Sequence, residues 1–317
     1  MKGLTLSEYS VSVVVPVFRS EQTLSELHQR LVAVLSPITT SFQILFVEDG
    51  GDDNSWDVIC KLAIQDSRVR GLKHSRNYGQ HNALLSGIRA AEKDIVITLD
   101  DDLQNPPEEI PKLLACIDQG FDVAYGTPVR EQHGFLRDKA SQITKIALQG
   151  AMGAQTARKV SAFRAFRTDL RKAFADYHNP YVSIDVLLTW ATTRFTSAEV
   201  KHDPRAVGVS NYTMGKLLRH ALNMMTGFSV LPLQLASLIG FLFTIFGFGL
   251  LVYVLINYIL HGSSVAGFPF LASVIALFSG AQMFALGIIG EYLARMHLRS
   301  MGRPVGVIRE FTPVVTD

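Results

Sequence analysis

Cysteine is scarce: Cys60 and Cys116 are the only two in 317 residues. That leaves no disulfide framework and no zinc-site spacing, and it suits a reducing compartment. No G-x-G-x-x-G follows the first apolar strand, which argues against a dinucleotide-binding dehydrogenase. The first residues hold no apolar run of signal-peptide length, so no cleaved leader is expected. There is no internal repeat and no low-complexity tract. A net charge of +2 gives no footing for nucleic acid, and no such partner is expected. The most informative absence is local. From Ala221 to Leu260, and again from Gly262 to Gly290, there is no Asp, Glu, Lys, Arg or His. A bilayer core takes ~20 apolar residues per helix. Two such runs back to back predict two transmembrane helices, at about 231–260 and 268–290, rather than buried helices of a soluble domain.

Charge placement orients them. Lys216, Arg219 and His220 precede the first run; Arg295, Arg299, Arg303 and Arg309 follow the second. The connection, His261 to Gly267, has no Lys or Arg. The positive-inside rule then places both termini in the cytoplasm. Residues 1–212 mix charged and apolar positions as a soluble α/β domain does. Residues 213–226 form a juxtamembrane segment: Leu217, Leu218, Ala221, Leu222 and Met225 share one helical face, which predicts an interfacial amphipathic helix. Residues 227–290 are the hairpin and 291–317 a cytoplasmic tail. Gly240, Gly247, Gly249, Gly280, Gly287 and Gly290 let membrane helices approach closely, which predicts hairpin packing and self-association.

Within 1–212 the period alternates. Val11-Ser-Val-Val-Val-Pro16 reads as a buried strand, and Leu24, Leu27, Leu31 and Val34 then repeat at helical spacing. Ser20-Glu-Gln-Thr23 offers cap chemistry for that helix. Strands follow at Phe42–Val47, Val69–His74, Ile95–Leu99 and Asp122–Gly126. Helices read at Trp56–Gln65, capped from Asp53-Asn54-Ser55, at Gln80–Ala91, and from Pro106-Pro107 onward. Strand–helix alternation predicts an α/β fold, a Rossmann-like and mainly parallel sheet with helices on both faces. Ligands bind such sheets beyond the carboxyl ends of the strands. Asp49 and Asp100-Asp101-Asp102 both sit there.

Three carboxylates at one strand end repel unless a cation joins them. Hard oxygen ligands suit Mg²⁺ or Mn²⁺, which commonly bridge a few carboxylates to substrate phosphates. Asp100 and Asp102, two apart on extended backbone, can point to one side. An ion there would neutralise a leaving diphosphate.

Arg76-Asn-Tyr-Gly-Gln-His-Asn82 and Ile97-Thr-Leu-Asp-Asp-Asp-Leu-Gln-Asn-Pro-Pro-Glu-Glu109 resemble family 2 glycosyltransferases of the polyprenyl-phosphate type. These include dolichyl-phosphate mannose synthases and bacterial glucosyl and aminoarabinose transferases acting on undecaprenyl phosphate; the likeness is strongest to the aminoarabinose kind. Val13-Val-Val-Pro-Val17, Val47-Glu-Asp-Gly-Gly51, Arg205-Ala-Val-Gly-Val-Ser-Asn-Tyr212, Gly290-Glu-Tyr292 and Gly302-Arg-Pro304 extend it over nearly the whole chain. The resemblance implies a GT-A domain, a nucleotide-sugar donor (with uridine favoured), a polyprenyl phosphate acceptor, and a bacterial inner-membrane location with lipid bilayer as a partner. It implies a homo-oligomer too; some relatives form tetramers. Asp100, Asp102 and Gln104 match the D-x-D-x-Q motif that holds the metal and donor diphosphate. Asp49 matches the aspartate that contacts the nucleoside, and Pro16, Glu21 and Arg76 match positions lining the nucleotide pocket. Arg130, Arg137 and Ser141 resemble residues that grip the acceptor phosphate, as does Arg205 before the membrane segment; a guanidinium fork matches phosphate oxygens.

The chain departs from that pattern in three places. The run Ala157-Arg-Lys-Val-Ser-Ala-Phe-Arg164 lacks the carboxylate that many relatives carry just before the Phe-Arg pair. Asp101 stands where a small residue is common, and Asn211 replaces the usual lysine. These put the donor sugar in question more than the reaction class. The expected reaction is a single in-line, inverting displacement by an acceptor phosphate that is already anionic, so no strong base is required. Two other readings compete. One is a non-catalytic membrane partner of a flippase, against which the intact acidic motif argues. The other is a processive polysaccharide synthase, which would add a Gln-x-x-Arg-Trp motif and further spans.

Overall fold

The structure, a computed structural model, describes residues 9–128, 160–179, 182–204, 231–261, 268–302 and 304–313. Residues 11–128 alternate strand and helix: β1 (Val11–Val17), α1 (Leu24–Leu35), β2 (Phe42–Glu48), α2 (Ser55–Gln65), β3 (Val69–His74), α3 (Gln80–Ala90), β4 (Ile95–Thr98), α4 (Ile110–Asp118) and β5 (Val123–Pro128). Beyond them come β6 (Arg164–Arg167), α5 (Ile184–Ala191), β7 (Phe195–Val200), α6 (Leu231–His261), α7 (Phe268–Ser300) and β8 (Ile308–Phe311). The amphipathic segment expected at 213–226 lies outside the described residues.

All eight strands form one sheet in the order β7-β5-β6-β4-β1-β2-β3-β8. The expected mainly parallel core is there: β1 pairs parallel with both β2 and β4, and β2 with β3. Three strands escape the sequence patterning. β6 wedges antiparallel between β4 and β5. β7 runs parallel on the outer side of β5. β8 closes the opposite edge antiparallel to β3.

β1 sits mid-sheet with every residue buried, which is why it reads as a continuous apolar run. One face of the sheet packs on α1, α2 and α4. There Leu24, Leu27, Leu31 and Leu35 form a fully buried stripe at helical spacing. Each buried leucine contributes roughly 1.5–3 kcal/mol. The other face packs on α3 and α5 through Leu84, Leu85, Ile88, Leu187 and Leu188. Gly87 permits the close approach of α3; a Cβ there would lie 2.3 Å from Val14 Cγ1.

The expected helix caps are made only in part. Neither Thr23 nor Asn54 gives its helix a side-chain cap bond. Asp53 Oδ1 does accept the N–H of Ser55, the first residue of α2, at 3.3 Å, while Ser20 and Asp53 Oδ2 bond across the sheet rim.

α6 and α7 hold 31 and 33 residues. At 1.5 Å per residue each exceeds the ~30 Å of a hydrocarbon core. Both are long and apolar enough to form a transmembrane hairpin, with windows at Leu233–Asn257 and Leu277–Ser300. The helices meet where Gly247 receives Phe278, whose ring would lie 3.0 Å from a Cβ. Phe243 meets the same ring edge-on at 5.6 Å. Among the described residues, the other five span glycines have nothing within 4 Å of where a Cβ would stand, and Gly247 alone of the six meets the facing helix.

Candidate active site

Three loops converge at the carboxyl ends of β1, β2 and β4. The acidic triplet splits in two directions. Asp101 turns toward the β1–α1 loop, where its Oδ2 accepts from the Ser20 hydroxyl at 2.5 Å and the Phe18 N–H at 3.1 Å. Burial pushes its carboxyl up to about 6, and those two donors pull it only part of the way back. Asp100 Oδ1 accepts from Gln80 Nε2 at 2.6 Å. Asp102 Oδ1 accepts the Gln104 N–H at 3.1 Å, closing a tight turn through Leu103. Leu103 has φ +62, and Arg19 across the rim has φ +57; they are the only non-glycine residues with positive φ among the described residues. Such conformations cost about 1–3 kcal/mol and concentrate at functional sites.

The second loop is welded to the first. Glu21 Oε2 accepts from the Asn54 N–H at 3.0 Å and its side-chain amide at 2.9 Å. Asp53 accepts the Glu21 N–H at 3.2 Å and the Ser55 hydroxyl at 2.8 Å, while Ser55 Oγ accepts the Ser20 N–H at 2.9 Å. Glu48 lies beneath. Its Oε1 accepts from Gly51 N–H, its Oε2 is buried with no partner among the described residues, and burial raises its carboxyl above the usual range.

Asp49, expected at the nucleoside, faces β3 and the α3 start. Its Oδ1 accepts from His74 Nδ1 at 2.7 Å and the Tyr78 N–H at 2.9 Å, and its Oδ2 accepts the Gly79 N–H at 2.7 Å. Arg76 is exposed and lies 4.7 Å over the Tyr78 ring. Gly50, with φ +69, touches the same loop: a Cβ there would fall 2.4 Å from the backbone of Arg76 and Asn77. Pro16 is buried at the end of β1, paired with Val47.

The structure therefore brings Asp100, Asp102, Gln104, Glu21, Asp49, Arg76 and Pro16 to one rim. Arg130, Arg137, Ser141 and Arg205 lie outside the described residues. The chain that leads to Arg205 does reach the rim, where the Asp203 N–H donates to the Gln104 carbonyl at 2.9 Å. Three rim residues carried no signal in the sequence beyond their local element, His74, Ser20 and Asp53, and Glu48 was visible only as part of the Val47–Gly51 motif. A buried cluster supports the rim from behind. Arg164 pairs with Asp185, which also accepts the Tyr125 hydroxyl at 3.1 Å. Burial, and then the Asp185 charge, raise the Tyr125 phenol well above its usual value.

Among the described residues no three His, Cys, Asp or Glu side chains converge as a ready metal cage. Two carboxylates, Asp100 and Asp102, flank the turn. Mg²⁺ and Mn²⁺ are commonly held in this way, by one or two carboxylates plus substrate phosphates and water, so the donor set fits such an ion. A cavity of about 460 Å³ lined by Tyr177, Trp190 and Arg299 contains none of the rim residues. It lies at the other end of α3, where Arg89 bonds the Ala175 and Tyr177 carbonyls.

Comparison with known proteins decides the class. The profile of "Glycosyl transferase family 2" matches residues 12–177. The chain belongs to glycosyl transferase family 2. This transferase is 35% identical over 297 residues to the undecaprenyl-phosphate 4-deoxy-4-formamido-L-arabinose transferase of Serratia proteamaculans, covering 93% of this chain and 91% of the relative. The Proteus mirabilis transferase of the same name is 33% identical over the same coverage. Among solved structures, glucosyl-3-phosphoglycerate synthase from Mycobacterium tuberculosis, crystallised with Mn²⁺, UDP and phosphoglyceric acid, superposes with a TM-score of 0.53 at 14% identity. It covers 69% of this chain and 76% of the synthase, and it bears out the GT-A fold.

Proposed function

We propose that this transferase moves a sugar from a UDP-sugar to undecaprenyl phosphate, with inversion, at the cytoplasmic face of a bacterial inner membrane. The observation that carries the reading is the pairing of Asp100 and Asp102 at the β4 end with two membrane-length helices in the same chain. An acceptor with a lipid tail keeps its phosphate at headgroup level, and an anchored domain meets it there. The acceptor is supported by the relatives, which are named as undecaprenyl-phosphate transferases. Uridine and a divalent ion are supported by the structural neighbour, which holds UDP and Mn²⁺ on the same fold.

Asp100 and Asp102 would hold the divalent ion, which supplies Lewis-acid neutralisation of the leaving diphosphate when bound. Gln80 keeps Asp100 oriented, and the Gln104 N–H does so for Asp102. Asp49 fixes the loop of Tyr78 and Gly79 that borders the nucleotide. Arg130, Arg137, Ser141 and Arg205 are assigned to the acceptor phosphate. That phosphate is anionic at neutral pH, so positioning and charge carry the reaction without a strong base. This accounts for the missing acid before Phe163.

The membrane face is supported twice. β8 joins the catalytic sheet after α6 and α7, so two crossings between them leave tail and domain on one side. Lys216, Arg219, Arg295, Arg299, Arg303 and Arg309 make that side cytoplasmic.

The test is transfer itself. Purified protein in detergent is given undecaprenyl phosphate, Mg²⁺ or Mn²⁺ and a panel of UDP- and GDP-sugars that includes 4-deoxy-4-formamido-L-arabinose as its UDP derivative. Mass spectrometry should find one glycosyl-phosphate lipid, absent with EDTA or Asp102→Asn. Transfer that persists in EDTA, or a product with retained anomeric configuration, would overturn the mechanism.

A further inference from the structure

We propose that the segment Val305–Ile308, which follows the second membrane-length helix, buttresses the donor site, and that His74 is the positioning residue through which it acts. The proposal rests on the reading that Asp49 and the 76–79 loop border the nucleotide.

The chain turns back at the end of α7. Gly302 adopts φ +59 and its N–H donates to the Arg299 carbonyl at 3.2 Å. Four residues later the chain is inside the catalytic domain, a reach of about 14 Å at most. Val305 is buried in the apolar layer that holds Leu72, Leu84 and Leu85. Gly306 lies flush on the domain: a Cβ there would stand 2.8 Å from Ser86 Oγ and 3.0 Å from His74 Nε2. The Val307 carbonyl accepts the Ser75 N–H at 2.9 Å, and Ile308 pairs with His74 in the sheet. At the far end of β8, Thr312 Oγ1 accepts the Gly71 N–H at 2.9 Å.

His74 lies between this segment and the rim. Its side chain is fully buried, with Nε2 on Ser86 Oγ at 2.8 Å and Nδ1 on Asp49 Oδ1 at 2.7 Å. A carboxylate only accepts, so Nδ1 carries a proton. Asp49 in turn holds the N–H groups of Tyr78 and Gly79. The next residue, Gln80, reaches Asp100. An unbroken run of contacts thus joins Gly306 to a carboxylate at the reaction centre. Ordinary tail docking needs none of this; a strand edge could be covered without a glycine pressed on a buried imidazole.

The test is UDP binding by calorimetry, with Mn²⁺, on the full-length protein in detergent. Gly306→Val and His74→Ala should each weaken UDP roughly tenfold or more, the loss expected of a hydrogen bond to a charged group. His74→Asn, whose amide nitrogen can take the Nδ1 position, should recover most of it. Thr312→Val loosens the same strand away from His74, and should lower the melting temperature while UDP affinity stays within about twofold. Gly306→Ala is the milder variant if Gly306→Val does not fold. Unchanged affinity in Gly306→Ala and His74→Ala would overturn the proposal. So would losses that follow melting temperature equally across all variants, Thr312→Val included. Failure of the wild-type protein to bind UDP would instead refute the nucleotide reading on which the proposal rests.

Discussion

Asp101 and Ser20, 81 positions apart in sequence, join the acidic loop to the β1–α1 loop through a 2.5 Å hydrogen bond. The middle carboxylate of the triplet is therefore a clasp and stands apart from the pair assigned to the ion. Asp101→Ala removes the acceptor for both Ser20 and Phe18, at about 1 kcal/mol per bond. Donor KM should rise severalfold while kcat changes little. Asp102→Asn should do the reverse and cut kcat by roughly a hundredfold, the scale of lost electrostatic stabilisation at a reacting centre. Steady-state kinetics on the two variants separates the roles.

Gly50 and the Arg76–Asn77 backbone leave no space for a methyl group, and φ +69 is strained for any L side chain. Gly50→Ala should displace the loop that Asp49 orders. The expected result is weaker donor binding with the far-ultraviolet circular dichroism spectrum unchanged.

Asp185 compensates Arg164, whose side chain is 2% exposed. Asp185→Ala leaves a buried guanidinium unpaired and the Tyr125 hydroxyl without its acceptor. Losing one partner of such a pair costs about 3–5 kcal/mol. Denaturant titration of the detergent-solubilised protein should show a loss of that size. Replacing both partners with apolar residues should cost less than removing Asp185 alone.

Asp66 gives the domain an acid-sensitive joint between α2 and β3. Burial alone would raise its carboxyl, but the side-chain and backbone donors of Arg68, with His28, outweigh this and hold it at about 2. A depressed carboxyl stabilises the fold above its unfolded value near 4 and loses that contribution as pH falls toward 2. The contribution is roughly 2 kcal/mol. Thermal melts from pH 5 to pH 2.5 should fall less steeply for Asp66→Asn than for the wild-type chain.

The sequence displays the half of the fold in which each element carries its own period. β1 to α4 read correctly because the strands are continuous apolar runs and α1 carries its leucines at helical spacing. β6 and β8, Arg-Ala-Phe-Arg and Ile-Arg-Glu-Phe, are four residues long with charged side chains, and only their neighbours make them strands. The acidic motif and Asp49 were legible as strand-end carboxylates. Their wiring was not. Ser20 and Asp53 have the chemistry of helix caps, and nothing local tells that Asp101 and Glu21 claim them. His74 reads as a strand terminus until β8, more than 230 positions later, closes over it. The tail's return to the sheet is a long-range pairing, and a short segment after a membrane span shows no sign of it.

The central claim is that Asp100 and Asp102 share a divalent ion with the donor diphosphate. Electron paramagnetic resonance titration of Mn²⁺, with and without UDP, tests it most directly. Two carboxylates, with no third His, Cys, Asp or Glu converging on them among the described residues, predict weak binding of Mn²⁺ alone, much tighter binding with UDP present, and loss of the UDP effect in Asp102→Asn. Tight Mn²⁺ binding that ignores UDP, or a UDP effect that survives Asp102→Asn, would contradict the account.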